Sequence, residues 1–331
     1  MGFPLLRLPQ LALIVVLKQM NTIGLIDLSL CSKYLSFFAK KYIKKPKSLV
    51  FFADGEFQIR IKFQKSQFIF TFYSEESIQN GSEIPSSGLV EMRKYSGWGC
   101  KIMQRSFEKR NFGIRKWLDF FMALFNMDLK DLTIRDSVSR FDILSVKNLL
   151  NGLKIENLRI GFFIDDSFVK MILESVKVTR LLYLQSTSSF IENQKFEMDE
   201  LRTNSIDWIS MDQILTIDCR IIDIGYSKLT NEDFNLFLKN WRNGSNSKLE
   251  MFQARNENKD FWNKESILDG QEYRLYMEHR IFCLKPYNNT GDPREIPLHD
   301  SFEITRNDGV KGSVIVRNNT LQSSFMFLVS K

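Results

Sequence analysis

The chain has 331 residues, 44% of them hydrophobic and 26% charged, and a net charge of +7. These fractions are globular, which excludes a disordered or collagen-like chain, and the length suits about two domains. Eight basic residues and one acid, Asp27, fall within residues 1–50 and hold the whole excess, so the charge-balanced remainder excludes a nucleic-acid-binding body.

The first element is apolar without a break from Leu11 to Leu17. Seven helical residues reach about 10 Å, short of the ~30 Å hydrocarbon layer, so the run does not span a membrane. A secretion signal needs only about 7–15 apolar residues. The sequons at Asn80, Asn243, Asn288 and Asn318 fit that reading. Pro4, Pro9 and the Lys18-Gln19-Met20 sequence after the run, which has no small-x-small cleavage site, argue against it. A helix starting near Pro9 is the better reading. Leu11, Ile14, Val15 and Lys18 share one side, and Leu13, Val16, Leu17 and Met20 cover the other. A helix this apolar is expected to be buried nearly all round.

Asn21-Thr22 and Gly24 interrupt the pattern, and "LIDLSL" and "SKYLSFFAKKYI" continue it as two more short helices. Three short helices in so small a segment do not enclose one of their number on two sides, which leaves a second protein as the expected cover. "KKYIKKPK", Lys40 to Lys47, reads either as a basic helix end stopped by Pro46 or as an import or nucleic-acid patch.

Leu8-Pro9, the pair Val16-Leu17 and "LIDLSLCSK" (Leu25 to Lys33) together resemble an F-box, over residues 3 to about 45. The resemblance implies a three-helix module that docks on a Skp-family adaptor and, through it, a cullin ubiquitin ligase. The adaptor-facing positions it implies are Leu8, Pro9, Leu13, Val16, Leu17, Leu25, Ile26 and Leu28. Ile14 and Val15 stand where the family has polar residues, and Leu35 where many members have Trp.

Residues 48–73 read as a β-meander. After an Asp54-Gly55 turn, Phe57, Ile59, Ile61 and Phe63 alternate with Gln58, Arg60 and Lys62, and "QFIFTFY" gives the next strand. Residues 74–110 are rich in Ser, Gly and charge and read as loop with at most one strand. Beyond them strand-like segments recur: "LKDLTI", "IENLRI", "VTRLLYL", "DQILTI" and "KLEMF". Helix-like stretches precede four of the five. The last of these stretches has Thr230 as cap, Asp233 three positions on, and Gly244 at its end. Aligned leucines recur every 24 to 34 residues, which resembles an irregular leucine-rich-repeat stack with parallel strands; an ordinary α/β domain with uneven repeats is the other reading.

"LTNEDFNLFLKNWRNGSNSKLEMF", Leu229 to Phe252, looks like part of the type 2 F-box-associated domain, over about residues 185–255. In that family the domain is presumed to recruit substrates. The tail reads as a hairpin around Asn307-Asp308-Gly309 and a buried final strand, "SFMFLV".

Nothing in the sequence points to catalysis. His279 and His299 lack Cys or carboxylate neighbours at ligand spacing, so no metal site or cofactor is expected. "HDS" at His299 to Ser301 has triad letters without triad geometry, and "GVKGS" is too short for a phosphate loop. Trp117, Trp208 and Trp241 read as core on helical spacing rather than as binding anchors. Cys31, Cys100, Cys219 and Cys283 are too far apart for zinc and are expected to be reduced and mostly buried.

The expected fold is therefore α+β or α/β. Residues 1–45 form a three-helix F-box and 46–110 a β-meander and linker. Residues 111–331 form a leucine-rich-repeat-like helix–strand stack that includes the associated domain. The expected function is that of a non-catalytic substrate receptor of a Skp–cullin–F-box ubiquitin ligase, cytoplasmic or nuclear. Its partners are the adaptor, the cullin behind it and an unknown protein target, with no nucleic acid and no membrane. A secreted or lumenal interaction module with an atypical signal is the alternative.

Overall fold

Polar residues at helix starts divide the apolar N-terminus into separate helices. Helices α1 (Gln10–Gln19), α2 (Thr22–Cys31) and α3 (Lys33–Tyr42) follow one another almost without loops. Pro9 sits at the start of α1, where its missing N–H costs nothing. Asn21 Oδ1 accepts the Gly24 N–H at 2.9 Å, and Ser32 Oγ accepts the Leu35 N–H at 3.1 Å. Each thereby satisfies a donor that the helix itself leaves open. Helix α3 ends at Tyr42, with the Ile43 N–H on Ala39 O and Lys40 and Lys41 in the last turn. Lys44, Lys45 and Lys47 are exposed while Pro46 is buried.

The computed structural model describes residues 8–72, 81–84, 89–96, 99–108, 112–185, 198–206, 209–258, 261–277, 280–284, 294–318 and 322–330. The chain divides into two compact units, residues 1–133 with 140–153, and residues 134–139 with 154–331.

In the first unit strands β1 (Ser48–Ala53), β2 (Phe57–Lys62), β3 (Ser66–Phe72), β4 (Leu89–Ser96) and β5 (Lys101–Glu108) pair antiparallel in sequence order. β6 (Leu129–Ile134) lies beside β1. Helices α4 (Ile114–Phe125) and α5 (Ile143–Leu150) complete the unit. The core is aromatic: Phe70 meets Phe121 at 4.6 Å between ring centres and Trp117 is fully buried. The loop expected at 74–110 is corrected at Leu89–Ser96 and Lys101–Glu108, which pair as the β4–β5 hairpin, while 74–80, 85–88, 97–98 and 109–110 lie outside the described residues. Val90 and Met92 point inward while Glu91 and Arg93 pair with each other outside at 2.8 Å. This period-2 signal is short and has charged residues at its other positions, which hid it.

In the second unit the strand order is β7 (Leu153–Ile160), β8 (Val176–Leu184), β9 (Glu200–Ile206), β10 (Ile221–Ser227), β11 (Met251–Asn256), β17 (Ser323–Ser330), β16 (Lys311–Asn318), β15 (Ser301–Thr305) and β12 (Arg274–Tyr276). β8 to β11 are parallel and β11 onward is antiparallel, although β9 and β10 are not among the strand segments of the expected repeats. A separate hairpin pairs β13 (Arg280–Leu284) with β14 (Arg294–Leu298).

Helix α8 (Asn231–Arg242) buries Phe234, Phe237, Leu238 and Trp241 on one face. Phe234 lies 4.0 Å from Phe325 and Trp241 lies 4.8 Å from Phe327. The Thr230–Asp233 capping box forms, and Gly244 takes φ +102° just past the helix end.

The expected strand at Asp212–Ile217 is corrected. Met211–Thr216 is helix α7, started by a Ser210–Gln213 capping box. The strands at that place are β9 and β10, on either side of it. Gly225 in β10 is obligatory, because a Cβ there would stand 2.1 Å from Asn204 O. The cysteine expectation is also corrected: Cys219 is buried, but Cys31, Cys100 and Cys283 are exposed, and all four thiols are free. No helix among the described residues is long and apolar enough to cross a membrane.

Candidate functional site

On the N-terminal helices, Leu13, Leu17, Leu25 and Ile26 are buried within the chain. Leu8, Val16 and Leu28 are half-buried and Pro9 is exposed. The eight positions singled out in the sequence therefore split between a core and a surface. The sequence did not distinguish the exposed apolar side chains: Leu11 (80% exposed), Val15 (60%), Tyr34 and Phe37. Leu11 and Val15 are four apart on α1 and share a face. Leu35, in place of the family's Trp, is buried in this unit.

In the second unit the strand register sorts side chains onto two faces. Leu182, Leu201, Ile222 and Phe252 form one buried cross-strand row, on the side that carries α8. The next row faces the other way: Tyr183, Arg202, Asp223 and Gln253. On that second face Ile221, Met251, Ile315 and Leu328 pack against Leu284, Ile296 and Leu298 of the β13–β14 hairpin. The hairpin thus covers the β10, β11, β16 and β17 part of the face. Outside the hairpin, among the described residues, β7 to β11 carry a cleft of about 180 Å³ whose polar lining includes Arg159, Tyr183, Arg202, Asn204, Asp223 and Arg255.

The cleft is ordered by ion pairs. Arg255 Nη2 donates to Asp223 Oδ1 at 3.0 Å and Arg202 Nη2 to Glu200 Oε2 at 3.0 Å. Glu200 is buried and also accepts from Arg220, which reaches Glu250 at 2.7 Å. Tyr183 Oη donates to Asn204 Oδ1 at 2.9 Å. These contacts hold guanidinium groups in fixed positions, the arrangement that suits recognition of carboxylates and other planar anions.

Much of the sequence motif that resembled the F-box-associated domain is structural. Asn235 Nδ2 donates to Ile267 O at 2.9 Å and Asp269 O at 2.7 Å. Asn246, at φ +50°, donates to Ile214 O and Ile217 O and so ties down the end of α7. Lys248 pairs with Asp218 at 2.9 Å, a contact that raises its pKa.

Burial, with Asp199 and Asp218 nearby, pushes the Cys219 thiol up to about 12, where it stays protonated and unreactive. His299 and Asp300 are exposed at a turn while Ser301 is buried and accepts from Arg280 Nη2 at 3.1 Å. No group of His, Cys, Asp and Glu among the described residues is placed to hold a metal. Trp117 and Trp241 are core residues; Trp208 and His279 lie outside the described residues.

Comparison with known proteins gives a family match and two relatives. Residues 187–254 match the model of the F-box associated family. The chain is 24% identical to an uncharacterised Caenorhabditis elegans protein, over 99% of this chain and 77% of that one. It is also 24% identical to the Skn-1 dependent zygotic transcript 15 protein of the same organism, over 95% of this chain and 94% of that one. No solved structure matches.

Proposed function

We propose that this protein is the substrate receptor of a Skp–cullin–F-box ubiquitin ligase and carries out no catalysis itself. The observation that carries the reading is the match of residues 187–254 to the F-box associated family. It stands in a chain whose N-terminus folds into three short helices with exposed apolar side chains. The F-box resemblance and the associated-domain resemblance come from separate stretches of sequence, and in the families they resemble such domains accompany one another.

The mechanism is proximity. The N-terminal helices hold a Skp-family adaptor, and the cullin behind it, through Leu8, Pro9, Val16 and Leu28 together with Leu11 and Val15. The second unit holds a protein target. Joining two binding modules in one chain raises the effective concentration of target at the ligase without new chemistry. Leu13, Leu17, Leu25 and Ile26 act indirectly in this scheme, by packing the helices that display the others.

The test is capture of partners by the tagged full-length chain in cells, read by mass spectrometry. The reading expects an adaptor and a cullin to be recovered, and Leu11→Asp with Val15→Asp to remove both. Recovery of neither with the intact chain contradicts it.

A further inference from the structure

The cleft on β7 to β11 has features that the receptor reading leaves unused. Its lining holds three guanidiniums, Arg159, Arg202 and Arg255, against one carboxylate, Asp223. Asp223 takes one N–H of Arg255, and Glu200 takes one of Arg202. An arginine has five donors, so each retains capacity for a second anion. Arg202 Nε is buried without a partner. A dry, unpaired donor is unfavourable, and an incoming carboxylate would satisfy it. Arg159 is exposed and forms no ion pair with a described residue.

Resting on the receptor reading, we infer that this open sheet face binds an extended segment of the target rich in Asp and Glu. Arg159 is on β7, Arg202 on β9 and Arg255 on β11. Strands lie about 4.8 Å apart, so the arginines span roughly 19 Å across the sheet, the length of about six extended residues. Tyr183 and Asn204, locked to each other between them, supply oriented polar contacts. The chemistry favours carboxylate over phosphate. A carboxylate is the anion that Arg202 and Arg255 already take within this chain, from Glu200 and Asp223, and a second one can pair side by side with a guanidinium. It also favours a peptide over a nucleic acid, since the sequence beyond residue 50 is charge-balanced.

The experiment is fluorescence anisotropy of labelled octaglutamate, octaserine and phosphoserine-containing peptides with the full-length protein, alongside adaptor capture by the same preparation. Octaglutamate is expected to bind, to weaken as salt rises, and to lose about tenfold or more in affinity with Arg159→Glu. That residue is exposed, so the variant should melt with the wild type; if it melts early, Arg159→Ala gives the same reading. Octaserine binding as well as octaglutamate, the phosphopeptide binding alone, or Arg159→Glu leaving octaglutamate unaffected overturns the inference. Loss of peptide binding with adaptor capture intact removes only this inference. Peptide binding without adaptor capture removes the receptor reading and leaves the sheet face as an acidic-peptide site.

Discussion

The N-terminal helices and the cleft face of the second unit each carry exposed side chains among the described residues, and they are built by opposite means. On α1, hydrophobic residues occupy both sides of one helix, so that Leu13 and Leu17 fill a core while Leu11 and Val15 are left outside. On β8 to β11 one face is apolar, and on the other, beyond Ile221 and Met251 under the hairpin, the polar side chains are arranged by ion pairs. Burial of an exposed Leu or Val against a partner is worth about 1.5–3 kcal/mol and is insensitive to salt. Attraction between partly exposed charges is weaker per pair and is screened over about 8–10 Å. The two surfaces should therefore respond differently to the same perturbations, which allows each to be broken without the other.

The largest effects come from the cores beneath the surfaces. Trp241→Ala should cost about 3–5 kcal/mol and Leu17→Ala about 2–5 kcal/mol in calorimetric or denaturant unfolding. Near-wild-type stability for either would show that it is not buried as described. Leu11→Asp with Val15→Asp should change stability by no more than about 0.5 kcal/mol per site, while removing adaptor capture at both low and high salt. Capture that depends on salt instead would assign it to charge.

A smaller effect belongs to the α8 cap. Thr230→Ala should cost about 1 kcal/mol, and amide exchange in the first turn of α8 should rise with it. An unchanged denaturation midpoint would contradict the cap. The smallest effect is at the β15–β16 turn, where the Arg306 side chain beside it holds the Asp308 carboxyl down at about 2. A depressed carboxylate pKa stabilises above the ordinary value near ~3.9, and that stabilisation is lost as pH falls towards about 2. Asp308→Asn should thus differ from wild type above about pH 4 and converge with it near pH 2. A gap between the two that widens in acid would reverse the sign.

The sequence carried more of the fold than of the candidate site. Alternation in "FQIRIKF" and the capped pattern of Thr230 to Gly244 were legible because local chemistry and burial agree there. "DQILTI" misled because alternating Ile and Leu fit a strand, whereas Ser210 and Gln213 form a capping box that starts a helix. The β4–β5 hairpin was obscured by charged residues on its outer face. Which apolar residues of α1 face outward depends on what α2 and α3 cover, and a helix apolar on all sides gives no periodicity from which to read it. The cleft was illegible for another reason. Arg159, Tyr183, Arg202, Asp223 and Arg255 come from five strands spread over almost a hundred residues, and only the register brings them into neighbouring rows.

The most direct test of a receptor with two separate surfaces is titration of a purified Skp-family adaptor against three forms of the full-length protein: wild type, Leu11→Asp with Val15→Asp, and Arg159→Glu. The account predicts binding to wild type and to Arg159→Glu with equal affinity at low and high salt, and none to the α1 variant while its fold is intact. Adaptor binding by the α1 variant, or its loss in Arg159→Glu, would contradict it.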